Sequence, residues 1–125
     1  MARVKYTLEF PTRAKPELLY GYISTASGLA TWFADDVNVN GKIFTFIWDG
    51  AQETAELVSK KINKMTKYKW LDRGADEFVM FEIVRDDLTD DVSLLITDFE
   101  EEDELNDARA VWEVCVDQLK MTIGG

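Results

Sequence analysis

The sequence predicts an α+β domain in which a curved antiparallel sheet of about six or seven strands packs against one long C-terminal helix. Three observations point there. Apolar and polar residues alternate through much of residues 36–99, the period of a strand. Two tight-turn dipeptides, Asn40-Gly41 and Asp49-Gly50, cut that region into hairpins. Beyond residue 104 the period becomes helical, with Leu105, Ala108, Trp112, Cys115 and Leu119 stepping by three and four.

In chain order, residues 4–10 read as a strand with Val4, Tyr6, Leu8 and Phe10 on one face, ended by Pro11. Pro16 suits the first turn of a helix, where its missing N–H costs nothing. Leu18, Leu19, Tyr22 and Ile23 are spaced for that helix's apolar face. Residues 24–28 break it, and a second short helix holds Leu29, Trp32 and Phe33. Val37 and Val39 then lead into the Asn40-Gly41 turn, and residues 42–48 return as a strand. Residues 51–62 make a longer strand, and residues 65–72 run back after a turn at Asn63 and Lys64. Residues 73–76 turn again, and the strands 77–85 and 91–99 flank the acidic loop 86–90. Strands joined by short turns make an antiparallel meander. The acidic run 100–104 precedes the long helix, where its dipole favours negative charge, and Gly124-Gly125 ends that helix. No linker, repeat or low-complexity segment interrupts residues 1–125, which read as a single domain.

A chain of 125 residues removes roughly two thirds of its unfolded surface from water, enough for a core without staples. The hydrophobic fraction of 46% excludes a disordered chain. Twenty-four acidic against 14 basic residues give a net charge of −10, which argues against nucleic acid and anionic membranes as partners. The lysines at 60, 61, 64, 67 and 69 form a local basic patch, read as a solvated strand pair and its turn. Cys115 is the only cysteine, which fits a reducing compartment. The first residues lack the apolar stretch of a signal peptide and no apolar run reaches transmembrane length, so the expected location is the cytoplasm.

Several segments resemble a known family. Residues 16–25 are similar to the first helix of START-like (SRPBCC, helix-grip) domains, and Gly28-Leu29-Ala30-Thr31-Trp32-Phe33 to their second helix. The likeness is greatest to the homologues of the activator of the heat-shock-protein-90 ATPase. Gly41-Lys42-Ile43-Phe44, Phe81-Glu82-Ile83 and Leu94-Leu95-Ile96-Thr97 resemble strands of the family. Trp112, Val116, Leu119 and Lys120 fall on its C-terminal spacing, although Val111 stands where the family often has Gly and Val116 where Leu is usual. The resemblance implies a helix-grip fold with two short helices after the first strand and a cavity between sheet and long helix. Family members hold lipids, sterols or polyketides there, some as cyclases or hydrolases, and others serve as chaperone-associated modules. Fold alone does not choose among these.

The residues themselves offer little catalytic chemistry. With no histidine, Ser-His and Cys-His nucleophiles and the commonest metal ligand are absent. No zinc spacing exists, and a carboxylate-only Mg²⁺ or Ca²⁺ site in the loop 86–91, which lacks the spaced ligands and glycine of a calcium loop, is weighed against a plain solvated turn. Asp35 and Asp36, after Trp32-Phe33, are a candidate acid–base pair at a cavity mouth, weighed against two solvated acids. Glu82 alternates with Phe81 and Ile83 and is expected to face solvent, and Cys115 reads as a structural thiol.

The aromatic residues are the most informative feature. Phe44, Phe46 and Trp48 share one strand face, Tyr68 and Trp70 another, and Trp112 stands on the long helix. With Trp32, Phe33, Phe81, Cys115 and Leu119 they are expected to line a cavity. The leading expectation is a non-enzymatic module binding a small apolar or amphipathic ligand, lipid-like or polyketide-like, without cofactor or metal. The alternatives are a chaperone-cofactor-type interaction module with a basic partner, and a cyclase or hydrolase using a cavity carboxylate or a tyrosine such as Tyr22 or Tyr68.

Overall fold

A computed structural model describes residues 3–74 and 76–124. Strand β1 (Arg3–Thr12) leads into helices α1 (Pro16–Ser24) and α2 (Ala26–Leu29). Six strands follow: β2 (Asp36–Asn40), β3 (Ile43–Trp48), β4 (Ala51–Lys61), β5 (Met65–Trp70), β6 (Phe78–Arg85) and β7 (Val92–Glu101). A single 3₁₀ turn at Glu102–Glu104 then opens the long helix α3 (Leu105–Ile123). All strands pair antiparallel in one seven-stranded sheet of order β1-β7-β6-β5-β4-β3-β2. The meander is therefore complete from β2 to β7, and β1 closes against the last strand. No helix among the described residues is long and apolar enough to cross a membrane.

Several boundaries differ from the sequence expectation, each for a local reason. Pro11 does not end β1; it pairs with Ser93, and β1 is an edge strand, where a missing N–H is tolerated. Asn40 belongs to the ladder opposite Ile43, so the β2–β3 loop is Gly41-Lys42, with Gly41 at φ 63°. Asp49 and Gly50 both take positive φ, as a tight hairpin turn requires. Strand β7 runs on to Glu101, into the acidic run assigned to the helix approach. Leu18 is 46% exposed, because Leu19 and Ile23, one turn apart, carry the buried face of α1. The chain breaks at Thr25, whose hydroxyl caps α2 by accepting from Gly28 N–H (2.9 Å), so Gly28 lies inside α2 rather than in the break. A Cβ on Gly28 would overlap the Gly21 carbonyl and Tyr22 Cα, which is how closely α2 folds back on α1. Trp32 and Phe33 sit in the turns just beyond α2.

The concave face of the sheet carries the core. Phe44, Phe46, Tyr68, Val79, Phe81, Leu94 and Ile96 alternate inward with 4% exposure or less. Two buried hydroxyls, Thr66 Oγ1 and Tyr68 Oη, donate to Ile23 O at 3.0 and 2.6 Å and pin the end of α1 to β5. A register shift between Leu57 and Ser59 bends β4 against β5 beyond the aromatic positions, so their inward phase is preserved. Helix α3 buries Trp112, Val116 and Leu119 and ends at Gly124, left-handed at φ 82°. Cys115 lies at the edge of that stripe, half-buried.

Candidate functional site

Phe33 is the centre of the aromatic cluster. Its ring meets Phe46, Trp48 and Phe81 edge-on, with centroids 5.0, 5.3 and 5.5 Å away, and stacks on Trp112 at 5.5 Å. Two indoles fix the turn that carries it: Trp48 Nε1 donates to Phe33 O (2.6 Å) and Trp32 Nε1 to Tyr22 O (2.8 Å). On the α3 side of this cluster lies a cavity of about 300 Å³. Phe33, Trp48, Trp70 and Trp112 form its aromatic wall, and Ala108, Val111 and Cys115 its helical roof.

The opposite wall is polar and consists of Tyr6, Glu53, Arg73, Asp98 and Glu100. The sheet register explains the grouping. Asp98 is the partner of Tyr6 across β1 and β7, and Glu53 is the partner of Phe46 across β3 and β4. Arg73 reaches in from the turn after β5. Its guanidinium grips Glu53 in a bidentate pair (2.9 and 3.0 Å), lies 4.5 Å above the Trp70 ring, and stands 3.6 Å from Glu77 and 3.9 Å from Asp98. Glu77 is held from the other side by Arg3 at 2.5 and 2.8 Å. Tyr6 accepts a hydrogen bond from Trp112 Nε1 (3.0 Å), which leaves its own O–H free to donate.

Charge in this wall follows from burial and neighbours. Burial pushes the Asp98 carboxyl up to about 7, helped by Glu100 and Glu77 and opposed by the Phe99 N–H and Arg73. Burial, then the nearby Asp98, raises the Tyr6 hydroxyl to about 12. Burial works against the Arg73 charge, but Glu53, Asp98 and Glu77 more than offset it and its pKa rises. The Arg3 hydrogen bonds hold Glu77 below its ordinary value. Two buried polar atoms at the cavity, Trp70 Nε1 and Asp98 Oδ1, have no hydrogen-bond partner among the described residues.

Of the residues expected to line a cavity, Phe33, Trp48, Trp70, Trp112 and Cys115 do so. Trp32, Phe44, Phe46, Tyr68, Phe81 and Leu119 lie instead in the packed core, each 5% exposed or less. Asp35 and Asp36 are exposed and away from the cavity, and Asp35 Oδ2 accepts from Asp49 N–H (2.7 Å). Asp86 Oδ1 accepts from Leu88 N–H (2.8 Å) and Thr89 N–H (3.2 Å), which makes loop 86–90 a solvated turn. Burial raises the Cys115 thiol, so it stays protonated at neutral pH.

Sequence reasoning missed Tyr6, Glu53, Arg73, Asp98 and Glu100 as site residues. For two of them a signal was present. Asp98 is in phase with the inward Leu94 and Ile96, and Glu53 with the inward Ala55. A carboxylate placed on the apolar phase of a strand is a mark of a buried polar group.

The sequence profile of the START-like superfamily domain matches residues 1–125. A Bacteroides fragilis protein with a solution NMR structure is 33% identical, with a TM-score of 0.67 over 98% of this chain and 92% of that one. The Aha1 dimer from Colwellia psychrerythraea is 17% identical, with a TM-score of 0.75 over 98% of this chain and 96% of that one. DynU16, a protein in the dynemicin biosynthetic locus, is 15% identical, with a TM-score of 0.77 over 96% of this chain and 48% of that one. The last two likenesses are of fold. No curated protein matches this chain significantly.

Proposed function

We propose, for a chain that belongs to the START-like superfamily, that the cavity under α3 binds a small amphipathic molecule. The observation that carries this reading is the cavity's two-sided wall: four aromatic rings face Tyr6, Asp98 and Arg73 across about 300 Å³. The rings favour an apolar, flat body. The buried Trp70 Nε1 donor and Asp98 Oδ1 acceptor favour polar atoms on that body, because an unpaired buried polar group costs roughly 1–3 kcal/mol. The volume lies at the small end of the roughly 300–1,000 Å³ range of ligand sites. A one- or two-ring compound, closer to a polyketide fragment than to a long acyl chain, fits it.

Native mass spectrometry after a soak in cell extract tests the proposal. The expected result is a bound small molecule on the wild-type chain that is absent from Ala108→Phe, in which the new ring fills the space beneath α3 while circular dichroism stays unchanged. An unloaded wild-type protein, or equal loading of both proteins, overturns the reading. One observation favours a second reading, an enzyme that moves a proton on its bound molecule: Asp98, titrating near 7, stands beside Tyr6. The same spectra separate the two, since a binding module returns its ligand chemically unchanged and an enzyme does not.

A further inference from the structure

We infer that the cavity selects a cationic head, a protonated amine on an aromatic body, and rejects the carboxylate of equal shape. The inference rests on the binding reading above and names the chemical class of the ligand. Three carboxyls, Glu53, Asp98 and Glu100, line the cavity against one guanidinium, Arg73. That guanidinium is already engaged: Glu53 holds it through both oxygens and Glu77 stands 3.6 Å away. Asp98 Oδ1 lies 3.9 Å from Arg73, beyond hydrogen-bond reach, and is buried without another partner among the described residues. Arg3 stands 3.8 Å from Glu100 on the side away from the cavity, so an incoming anion would meet Asp98 with no cation among the described lining residues left uncommitted to receive it. An incoming ammonium would meet an acceptor.

The aromatic wall points the same way. Arg73 already stacks on the Trp70 ring, so this surface holds a cation in the protein itself. Trp48, Trp112 and Phe33 present further ring surface to the same space. Helix α3 adds no charge to the cavity, since Ala108, Val111, Trp112 and Cys115 are its lining residues. The groups that face Asp98 are therefore Tyr6 on β1, Glu53 on β4, Arg73 and Glu77 around the β5–β6 turn, and Glu100 on β7, together with the neutral Cys115 thiol on α3. Arg3 faces Glu77, Glu100 and Glu101 rather than the cavity.

Because Asp98 titrates near 7, the selection depends on pH. An amine gains its counter-charge only when Asp98 is ionised, so its affinity rises from about pH 6 to pH 8, whereas an alcohol has no such term. Calorimetric titration with naphthylmethylamine, naphthalenemethanol and naphthoate, which share one ring system and differ in the head, tests this. The amine is expected to bind about tenfold or more tightly than naphthoate at pH 8. Its affinity is expected to fall toward pH 6, and Asp98→Asn to remove both the pH slope and most of the margin over the alcohol. Equal binding of amine and naphthoate, a preference for naphthoate, or a pH slope that survives Asp98→Asn overturns the cationic selection and leaves the binding reading standing. No binding by any of the three overturns both.

Discussion

Replacing Arg73 with Met is expected to lower stability by about 2–3 kcal/mol at pH 7. The side chain is 26% exposed, yet it faces Glu53, Glu77 and Asp98 at once. Removing one partner of a buried pair leaves uncompensated charge and costs roughly 3–5 kcal/mol; partial exposure reduces that here. Met keeps the apolar stem over Trp70, so the loss reports charge rather than packing. Lys would not restore it, because a single ammonium cannot reproduce the bidentate grip on Glu53. Urea denaturation at pH 7 and pH 4 checks the prediction. The deficit should shrink at pH 4, well below the value of about 7 to which burial pushes Asp98, because a protonated Asp98 no longer needs the guanidinium as its counter-charge. A deficit of equal size at both pH values would show that Arg73 acts through packing.

Asp98→Asn is expected to have the opposite sign at alkaline pH. A carboxyl whose folded value is raised from 3.8 to about 7 holds its proton more tightly in the folded state than in the unfolded one. Its contribution to stability is therefore greatest below the unfolded value and is lost as pH rises through about 7. About 3 pH units at ~1.4 kcal/mol each set a ceiling near 4 kcal/mol for that loss. Asn is isosteric and does not titrate, so the wild-type protein should lose ground to Asp98→Asn by about 2 kcal/mol between pH 5 and pH 8. The other titrating groups are common to both proteins and cancel in the difference. Parallel stability curves across that range would mean that Asp98 is ionised throughout and is not desolvated by the cavity.

The hairpins were readable because turn chemistry is local: Asp49-Gly50 needs two positive φ angles and announces them. The helix stripe was readable because Trp112 and Leu119 repeat at helical spacing, although its centre falls on Val116 rather than Cys115. Pro11 misled because a strand's position at the edge of a sheet is a tertiary property, invisible in the residue itself. The aromatic half of the site was legible from strand phase, which holds for Trp48 and Trp70 because the irregularity in β4 lies past them, after Leu57. Core and cavity wall could not be separated, since Phe46 and Trp48 share one face and only the second reaches the cavity. Arg73 was unreadable for a deeper reason: it sits in a turn, and only the curl of the sheet brings it against Glu53, Glu77 and Asp98. The START-like fold thus accounts for the scaffold, while the character of the polar wall is set by the side chains of Tyr6, Glu53, Arg73, Asp98 and Glu100.

The four tryptophans provide the most direct test that this cavity is a ligand site. Trp48, Trp70 and Trp112 line it, whereas Trp32 is buried beside it with its Nε1 committed to Tyr22 O. Proton–nitrogen correlation spectra of the indole N–H groups, recorded during titration with naphthylmethylamine, read all four at once. The expected result is movement of the Trp48, Trp70 and Trp112 signals, greatest for Trp70, whose Nε1 has no hydrogen-bond partner among the described residues, with Trp32 unmoved. Four static signals at saturating amine, or a Trp32 signal that moves as far as that of Trp70, would contradict a ligand site in this cavity.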